Sequence, residues 1–146
     1  MQRTLIALLC TVLASAACAR DTTHHLPIDT AMAAAKAAGK IDDKVRFYFG
    51  DQKHPKPKAD LGSFTTNRKT SSFGKSDERA CEWAMQSAII ELYNRAIKEG
   101  GDAVVGIESY YKKQPYVSAK DYECHAGAIV AGVALKGQVV RLQQAR

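Results

Sequence analysis

The sequence predicts an α+β fold in which a single long helix packs on an antiparallel sheet, in the order β-α-β-β. Three observations indicate this class. A long amphipathic segment lies near the middle of the chain, one β-rich segment precedes it, and two β-rich segments follow it. The chain has 146 residues, a length typical of one domain, and we find no internal repeat.

Residues 1–19 have the layout of a secretory signal peptide. Arg3 precedes an apolar run from Leu5 to Ala17, and this run is too short to cross a bilayer as a permanent helix. No polar face repeats through the run, so a core helix fits it badly. We therefore expect export to the periplasm, with no transmembrane segment after processing.

Two processing routes stay open at the end of this segment. Cleavage at Ala17-Cys18-Ala19 would release a soluble chain that begins at Arg20. Alternatively, Cys18 is lipidated and anchors the chain to the outer membrane. Lipidation sites usually have leucine three residues before the cysteine, where this chain has Ser15, so the soluble route is favoured.

The composition is moderately basic. The 21 Lys and Arg residues and 15 Asp and Glu residues give a net charge of +6, which falls to +5 when Arg3 leaves with the signal peptide. This charge favours an envelope component as the partner, either a protein or an anionic surface. It does not indicate specific nucleic-acid binding, because no cationic helix or aromatic platform accompanies it.

Residues 20–43 are predicted to be a leader, partly helical or mobile, and residues 44–146 to be the folded domain. An alanine-rich stretch, Asp29–Ala38, is expected to form a short helix that Asp29 or Thr30 caps and Gly39 ends. Burial of alanine side chains would stabilise this helix only weakly.

Val45–Gly50 is rich in β-branched and aromatic residues and is predicted to be a strand. The segment from Asp51 to Lys75 contains prolines, glycines and six cations, and it is predicted to be a long basic loop with at most a brief strand at Phe64–Thr66. A solvated surface explains these cations as well as a partner does. The predicted partner surface comprises Lys53, Lys56, Lys58, Arg68 and Lys69.

The helical pattern is strongest from Ser76 to Glu99. Ser76 is a suitable N-cap, acidic residues follow it, and Gly100 tolerates the left-handed conformation that ends a helix. A second apolar stripe beside the main face, formed by Trp83, Ile90 and Ile97, predicts a wide buried arc. The main apolar face consists of Cys81, Ala84, Met85, Ala88, Ile89, Leu92 and Ala96.

Two strands are predicted after the helix, at Gly101–Lys113 and Tyr122–Gly137, and they are expected to pair as a hairpin. Pro115 lies in the connection between them and excludes a central strand there. The glycines of the second strand indicate close helix packing or bulges. The tail after Gly137 is expected to extend this strand briefly.

The adjacent residues Cys124 and His125 have three interpretations, namely catalysis, metal binding or a disulfide. Neighbouring residues on a strand point to opposite faces, so the two side chains cannot serve one substrate or one metal ion unless a bulge intervenes. The chain also lacks the close C-x2-C or H-x3-H pair that is typical of zinc sites. We therefore predict no catalytic residue, no metal site and no cofactor.

A disulfide between Cys81 and Cys124 is the favoured interpretation, because these are the only cysteines after residue 19 and export compartments are oxidising. Cys81 lies on the apolar face of the helix, and Cys124 begins the last strand. The bond would join the helix to the sheet and contribute about 4 kcal/mol in the chain-entropy model. His125 would then face the opposite side, beside Tyr110 or Tyr111.

The segments RFYFG, FGKSDE and CHAGAIVAGVALKG resemble a group of exported bacterial proteins of uncharacterised function, and the likeness covers most of the mature chain. Many of those proteins are labelled as an excinuclease or excinuclease ATPase subunit. The residues of this chain contradict that label, since it has no GxxxxGK[ST] phosphate loop and no C-x2-C zinc pair.

A more distant resemblance rests on the helix, the AVVGI strand and the final strand that begins with a cysteine. These elements are similar to the outer-membrane sensor lipoprotein of the Rcs phosphorelay and to YbjQ-type small domains. The resemblance implies the same fold and a disulfide at the positions of Cys81 and Cys124. The second disulfide of the sensor is missing, since Val130 stands where one of its cysteines would be.

Two functions from different classes follow from these patterns. The first is a non-enzymatic binding or sensing module of the cell envelope, for which an outer-membrane stress-sensor lipoprotein is one variant. The second is an enzyme or metal-binding protein that uses His125 and nearby tyrosines. The residues favour the first.

Overall fold

The computed structural model describes residues 19–142, which form one mixed sheet with two helices packed on one of its faces. Most of the predicted signal peptide, including Cys18, lies outside the described residues, as do residues 143–146. A short 3-10 turn occupies Tyr111–Lys113. The strands are β1 (Thr22–Pro27), β2 (Arg46–Phe49), β3 (Pro57–Ser71), β4 (Ala103–Ser109), β5 (Asp121–Ala126) and β6 (Val130–Leu142), and the helices are α1 (Ile28–Ala37) and α2 (Asp77–Glu99).

The long strand β6 lies at the centre of the sheet. β3 pairs antiparallel with one edge of β6, while β4 and β5 pair antiparallel with different parts of its other edge. β1 adds antiparallel to β5, and β2 adds parallel to β4. The predicted antiparallel sheet is therefore wrong for β2 and β4, because the long connection through β3 and α2 lets these two strands run in the same direction.

α2 begins and ends where the sequence predicts. The Ser76 hydroxyl accepts a hydrogen bond from the Arg79 amide at 3.2 Å, and Asp77 and Glu78 lie in the positively polarised first turn. Gly100 adopts a left-handed conformation with φ of 75°, and its amide bonds back to the last turn. Local capping at both ends explains why this helix is predictable.

The predicted main apolar face of α2 is buried, and the helix packs on β3, β5 and β6. The predicted second stripe is wrong at two positions, since Trp83 is 43% exposed and Ile97 is 47% exposed. Only one side of the helix contacts the sheet, so residues further round the cylinder turn toward solvent. Neither helix within residues 19–142 is long and apolar enough to span a membrane.

The fold contains a second helix, α1, so the prediction of a single helix on the sheet is wrong. The sequence indicated this helix at Asp29–Ala38 but placed it in a leader, because its alanine-rich face is only weakly hydrophobic. Its buried residues Ile28, Ala31 and Ala35 belong to the same core as α2. Pro27 holds the N-cap position, without a side-chain hydrogen bond, and links the helix directly to β1.

β3 corrects the prediction of a long basic loop. Pro57–Ser71 forms a 15-residue strand along β6, in which alternate residues such as Thr66 and Arg68 face α2. The polar sequence of this segment shows no alternation of apolar and polar residues that would predict a strand. The strand forms because the segment pairs with the apolar strand β6. Proline and glycine are typical of loops, but both fit an edge strand here. Pro57 is the first residue of the strand, and Gly62 lies at a bulge.

The last predicted strand is in fact two strands. The chain turns at 127–129, so Tyr122–Gly137 is not continuous, and β5 and β6 form a hairpin. β4 ends at Ser109 and pairs mainly with β6 instead of forming the predicted hairpin with β5. The predicted extension after Gly137 is correct, because β6 continues to Leu142.

The predicted disulfide joins Cys81, near the start of α2, to Cys124 in β5. The two Cα atoms are 5.8 Å apart, and both residues are fully buried. Ala126 shares the inner face of β5 with Cys124, as strand alternation predicts. Ala128 and Val130 do not, since they lie in the exposed turn and at the exposed start of β6.

Replacing both cysteines by alanine is expected to lower the free energy of unfolding by about 4 kcal/mol, because the bond spans a sequence separation of 43 residues in the unfolded chain. Urea unfolding of the oxidised protein and of the C81A/C124A variant measures this difference. Cys81→Ala alone should lose about as much, since it also removes the bond. An unchanged unfolding midpoint would show that the cross-link does not support the fold.

Candidate functional site

The five cations predicted to form a partner surface do not lie together. Lys53 and Lys56 are exposed before β3, and Lys58 is close to its first residue. Arg68 and Lys69 lie near the other end of the strand, about 30 Å away at roughly 3.3 Å per residue. The structure therefore separates these cations into one group at each end of β3.

The second of these groups belongs to a groove of about 570 Å³ between β3 and α2. Helical spacing places Ser87, Glu91, Arg95 and Lys98 on one face of α2, opposite Arg68 of β3. We call this surface the basic groove. It is lined by Arg68, Lys69, Ser87, Ile90, Glu91, Asn94, Arg95 and Lys98.

Positive charge dominates the basic groove. Three of its cations, Arg68, Arg95 and Lys98, lie on the α2 side, whereas Lys69 projects to the opposite face of β3, beside Gly132. The Glu91 carboxylate lies 2.6 Å from Arg68 Nε and also accepts a hydrogen bond from the buried Thr66 hydroxyl. Arg95 lies over the Phe64 ring, 4.7 Å from its centre, which holds the guanidinium at the groove wall. Arg95 Nη1 also lies 3.3 Å from Glu99 Oε1, so Lys98 is the cation of the α2 side that has no carboxylate partner within residues 19–142.

β3 is an edge strand. One of its edges pairs with β6, and the other edge, here called the free edge, has no partner among the strands of residues 19–142. The unpaired N–H and C=O groups of such an edge can accept an added strand, while cationic side chains discourage pairing with a second copy. The free edge passes beside the basic groove at Arg68 and Lys69.

A second polar group lies on the sheet face opposite the helices, where β1 and β5 pair. The register places His25 opposite Glu123 and Thr23 opposite His125. The Glu123 carboxylate lies between the two imidazoles, with Oε1 2.8 Å from His125 Nε2 and Oε2 3.5 Å from His25 Nε2. Asp21 Oδ1 lies 3.2 Å from Nδ1 of His125. We call these two histidines and two carboxylates the histidine cluster.

Tyrosine rings cover both histidines of the cluster. Tyr111 stacks on His125 with ring centres 3.6 Å apart, and Tyr116 stacks on His25 at 4.3 Å. His125 therefore turns away from Cys124 and lies beside a tyrosine, as strand alternation predicts. Both of its ring nitrogens face carboxylate oxygens, so the imidazolium form can donate a hydrogen bond to each.

Sequence reasoning missed the helical side of the basic groove and much of the histidine cluster. Arg95 and Lys98 share one helix face, and this spacing is a usable signal once a strand is known to face them. Glu123 lies two residues before His125, on the same strand face. His25 carries no such signal, because only the unforeseen pairing of β1 with β5 brings it into the cluster.

Within residues 19–142, no group of three or more His, Cys, Asp or Glu side chains is arranged to hold a metal ion. Comparison of the chain with family models, curated proteins and solved structures gives no significant match. The resemblances to the exported group labelled excinuclease and to the Rcs sensor therefore stay predictions. The functional proposal rests on the geometry of these surfaces.

An ionic group also fixes the start of α2. The Arg20 guanidinium donates to both oxygens of Asp77, at 2.6 and 2.9 Å, and His24 Nε2 lies 2.9 Å from the same carboxylate. Arg20 donates a further hydrogen bond to the Gly127 carbonyl at the β5–β6 turn. The hydrogen bonds from Arg20, and then from His24, hold the pKa of Asp77 far below its usual range.

Asp77→Asn is expected to flatten the acid side of the stability profile. The pKa of Asp77 is lower in the folded protein than in the unfolded chain, so its carboxylate stabilises the fold above about pH 4 and loses this effect as the pH falls further. Thermal unfolding between about pH 2 and pH 7 should show a smaller acid decrease in Tm for the variant. The exposed Asp51→Asn is the control and should keep the wild-type profile, whereas identical profiles for all three proteins would contradict this role.

His125→Ala is expected to lower the free energy of unfolding by about 1–3 kcal/mol, because it removes an aromatic stack and two hydrogen bonds. The His125 side chain is only 14% exposed, so solvent cannot replace these contacts fully. His54→Ala is the matched control, since His54 is exposed, and it should change stability by less than about 0.5 kcal/mol. Urea unfolding at neutral pH compares the two, and equal stability of both variants would rule out a structural role for the cluster.

Proposed function

We propose that this chain is an exported, non-enzymatic binding module of the cell envelope that holds an extended acidic segment of a partner protein. The segment would lie along the free edge of β3, with its acidic side chains in the basic groove. The observation that carries this proposal is the placement of Arg68, Arg95 and Lys98 beside a strand edge that is unpaired within residues 19–142.

Charge is the first support for an acidic partner. Glu91 is held by Arg68 and Thr66, so a carboxylate entering the groove would meet cations whose charge is not fully balanced. Lys98, the groove lysine on the α2 side, pairs with no carboxylate within residues 19–142. An exposed ion pair stabilises a complex by only about 0.2–1 kcal/mol, so several contacts are needed and their sum should depend strongly on salt.

The strand edge is the second support, because it supplies recognition that charge alone lacks. An extended peptide added to an edge forms main-chain hydrogen bonds, and its alternate side chains point to opposite faces of the sheet. One of these faces is the α2 side, which carries Arg68 and the groove. A segment with acidic residues at every second position would direct all of them toward the cations.

Export is a separate part of the proposal. The buried Cys81–Cys124 disulfide supports a chain that folds in an oxidising compartment, and the predicted signal peptide supports the periplasm as that compartment. A lipid anchor at Cys18, as in an outer-membrane stress sensor, is the alternative form. Intact mass of the mature protein distinguishes a soluble chain that begins at Arg20 from a lipidated one.

The alternative function from another class is an enzyme or metal-binding protein that uses His125. The histidine cluster gives this alternative some support, because His125 lines a hollow of about 250 Å³ together with Gly132 and Tyr111. Both ring nitrogens of His125 already face carboxylates, however, so neither is directed at a substrate or an ion. Metal analysis and a thiol assay of the purified protein test this alternative, and the binding function is the better supported of the two.

A fluorescein-labelled peptide of alternating Glu and Thr residues is the probe for the binding function, with fluorescence anisotropy as the readout. We expect saturable binding to the mature chain that weakens about tenfold or more between about 50 and 300 mM NaCl. The R95Q/K98Q variant removes two cations of the α2 side of the groove and should weaken binding about fivefold or more. K53Q/K56Q is the matched control, since it removes two exposed cations beyond the other end of β3 and should bind like the wild type.

Two outcomes of this experiment would contradict the proposal. Equal weakening by R95Q/K98Q and by K53Q/K56Q would mean that the peptide responds to net charge and not to the groove. Unchanged affinity of a peptide with alternate backbone amides N-methylated would exclude strand addition, because such a peptide cannot form the main-chain ladder.

A further inference from the structure

A small cavity of about 230 Å³ lies where β1 runs into α1, beside the first turns of α2. Leu26, Pro27 and Ala31 supply apolar walls, and the ring of Tyr122 lines it from β5. None of its lining residues belongs to the basic groove or to the histidine cluster. The cavity is therefore a separate feature that the proposed function does not use.

Tyr122 is the residue that points to a ligand. It is only 2% exposed, and its hydroxyl makes no hydrogen bond within residues 19–142. In that part of the chain no side-chain polar atom sealed from solvent lacks a partner, so the hydroxyl keeps some contact with solvent, and Tyr122 lines the cavity. A hydroxyl with no protein partner has both a donor and an acceptor available for an occupant of the cavity.

Two carboxylates border the same cavity. Glu78 and Glu82 lie four residues apart on α2, and neither forms an ion pair with a described residue. One oxygen of Glu82 accepts a hydrogen bond from Gln86 at 3.2 Å, which leaves the second oxygen for another donor. Like charges at this spacing destabilise a helix slightly, so a cation between them would be favoured. Burial and the nearby Glu82 raise the pKa of Tyr122, so its phenol stays uncharged.

The start of α1 does not reverse the charge of the cavity. Thr30 and Ala31 belong to its first turn, where a helix carries roughly half a positive charge. Asp29 lies in the same turn and offsets that partial charge. The negative charge of Glu78 and Glu82 is larger than the partial positive charge left at the start of α1. The cavity is therefore negative at its polar end and apolar at its other end.

We propose that this cavity binds a primary alkylammonium group. The ammonium donates to the Tyr122 hydroxyl oxygen and to Glu82, Glu78 adds negative charge, and the alkyl chain packs on Leu26 and Ala31. An ammonium has three donors and no acceptor, which matches a site that offers mainly acceptors. The volume lies below the roughly 300 Å³ at which drug-sized sites begin, so it suits a short free amine or one lysyl side chain.

n-Butylammonium is the probe, titrated into the mature chain at neutral pH while NMR follows the Tyr122 ring and the amides of Leu26 and Ala31. We expect saturable shifts at these residues. Tyr122→Phe removes the hydroxyl and Glu82→Gln removes the charge, and each should weaken binding about fivefold or more. Glu99→Gln, the same change at the other end of α2, is the matched control and should bind like the wild type. E82Q changes a partly exposed side chain, so it tests the site even if Y122F fails to fold.

Two further ligands separate the contributions to binding. 1-Butanol has the same alkyl chain without the charge and should bind about tenfold more weakly or worse. Nα-acetyl-lysine methylamide shows whether the bound ammonium belongs to a lysyl side chain or to a free amine. Tighter binding than butylammonium identifies a lysyl side chain, and weaker binding identifies a free amine. Equal binding of butanol and butylammonium would reduce the site to an apolar hollow, and an absence of saturable shifts up to about 50 mM butylammonium would overturn the proposal.

Discussion

The covalent bond between Cys81 and Cys124 holds the start of α2 against β5, and the surfaces on the helical side of the sheet depend on that position. The ion pair of Arg20 with Asp77 ties the same helical turn to the N-terminal segment and to the β5–β6 turn. From this fixed start the 23-residue helix packs across β6 and β3. Its first turns border the cavity at Tyr122, and its second half lines the basic groove, so one cross-link positions both proposed sites.

Features with a local or periodic signal are predictable from the sequence. The cap at Ser76, the apolar repeat and the left-handed Gly100 define α2 within one residue of its observed bounds. The disulfide follows from the two cysteines that lie beyond the predicted signal peptide, and strand alternation alone turns His125 away from Cys124. None of these inferences requires knowledge of which strands pair.

Features that depend on distant pairing are not predictable in this way. β3 is a polar segment whose partner β6 begins far along the chain, and its prolines and glycines are as typical of a loop as of an edge strand. The groove joins Arg68 of β3 to Lys98 of α2, and the histidine cluster joins His25 of β1 to Glu123 of β5. Each site therefore exists only after the sheet has formed, which is why the sequence indicated single residues but not their grouping.

Hydrogen–deuterium exchange of β3 shows whether the free edge is a binding surface. The amides of this edge have no strand partner within residues 19–142, so they should exchange quickly in the free protein. Saturation with the alternating Glu-Thr peptide should slow those near Arg68 and Lys69 about tenfold or more, while amides of the β1–β5 pair keep their rates. Unchanged exchange along β3 with the peptide bound, or protection confined to another element, would contradict a binding function at this edge.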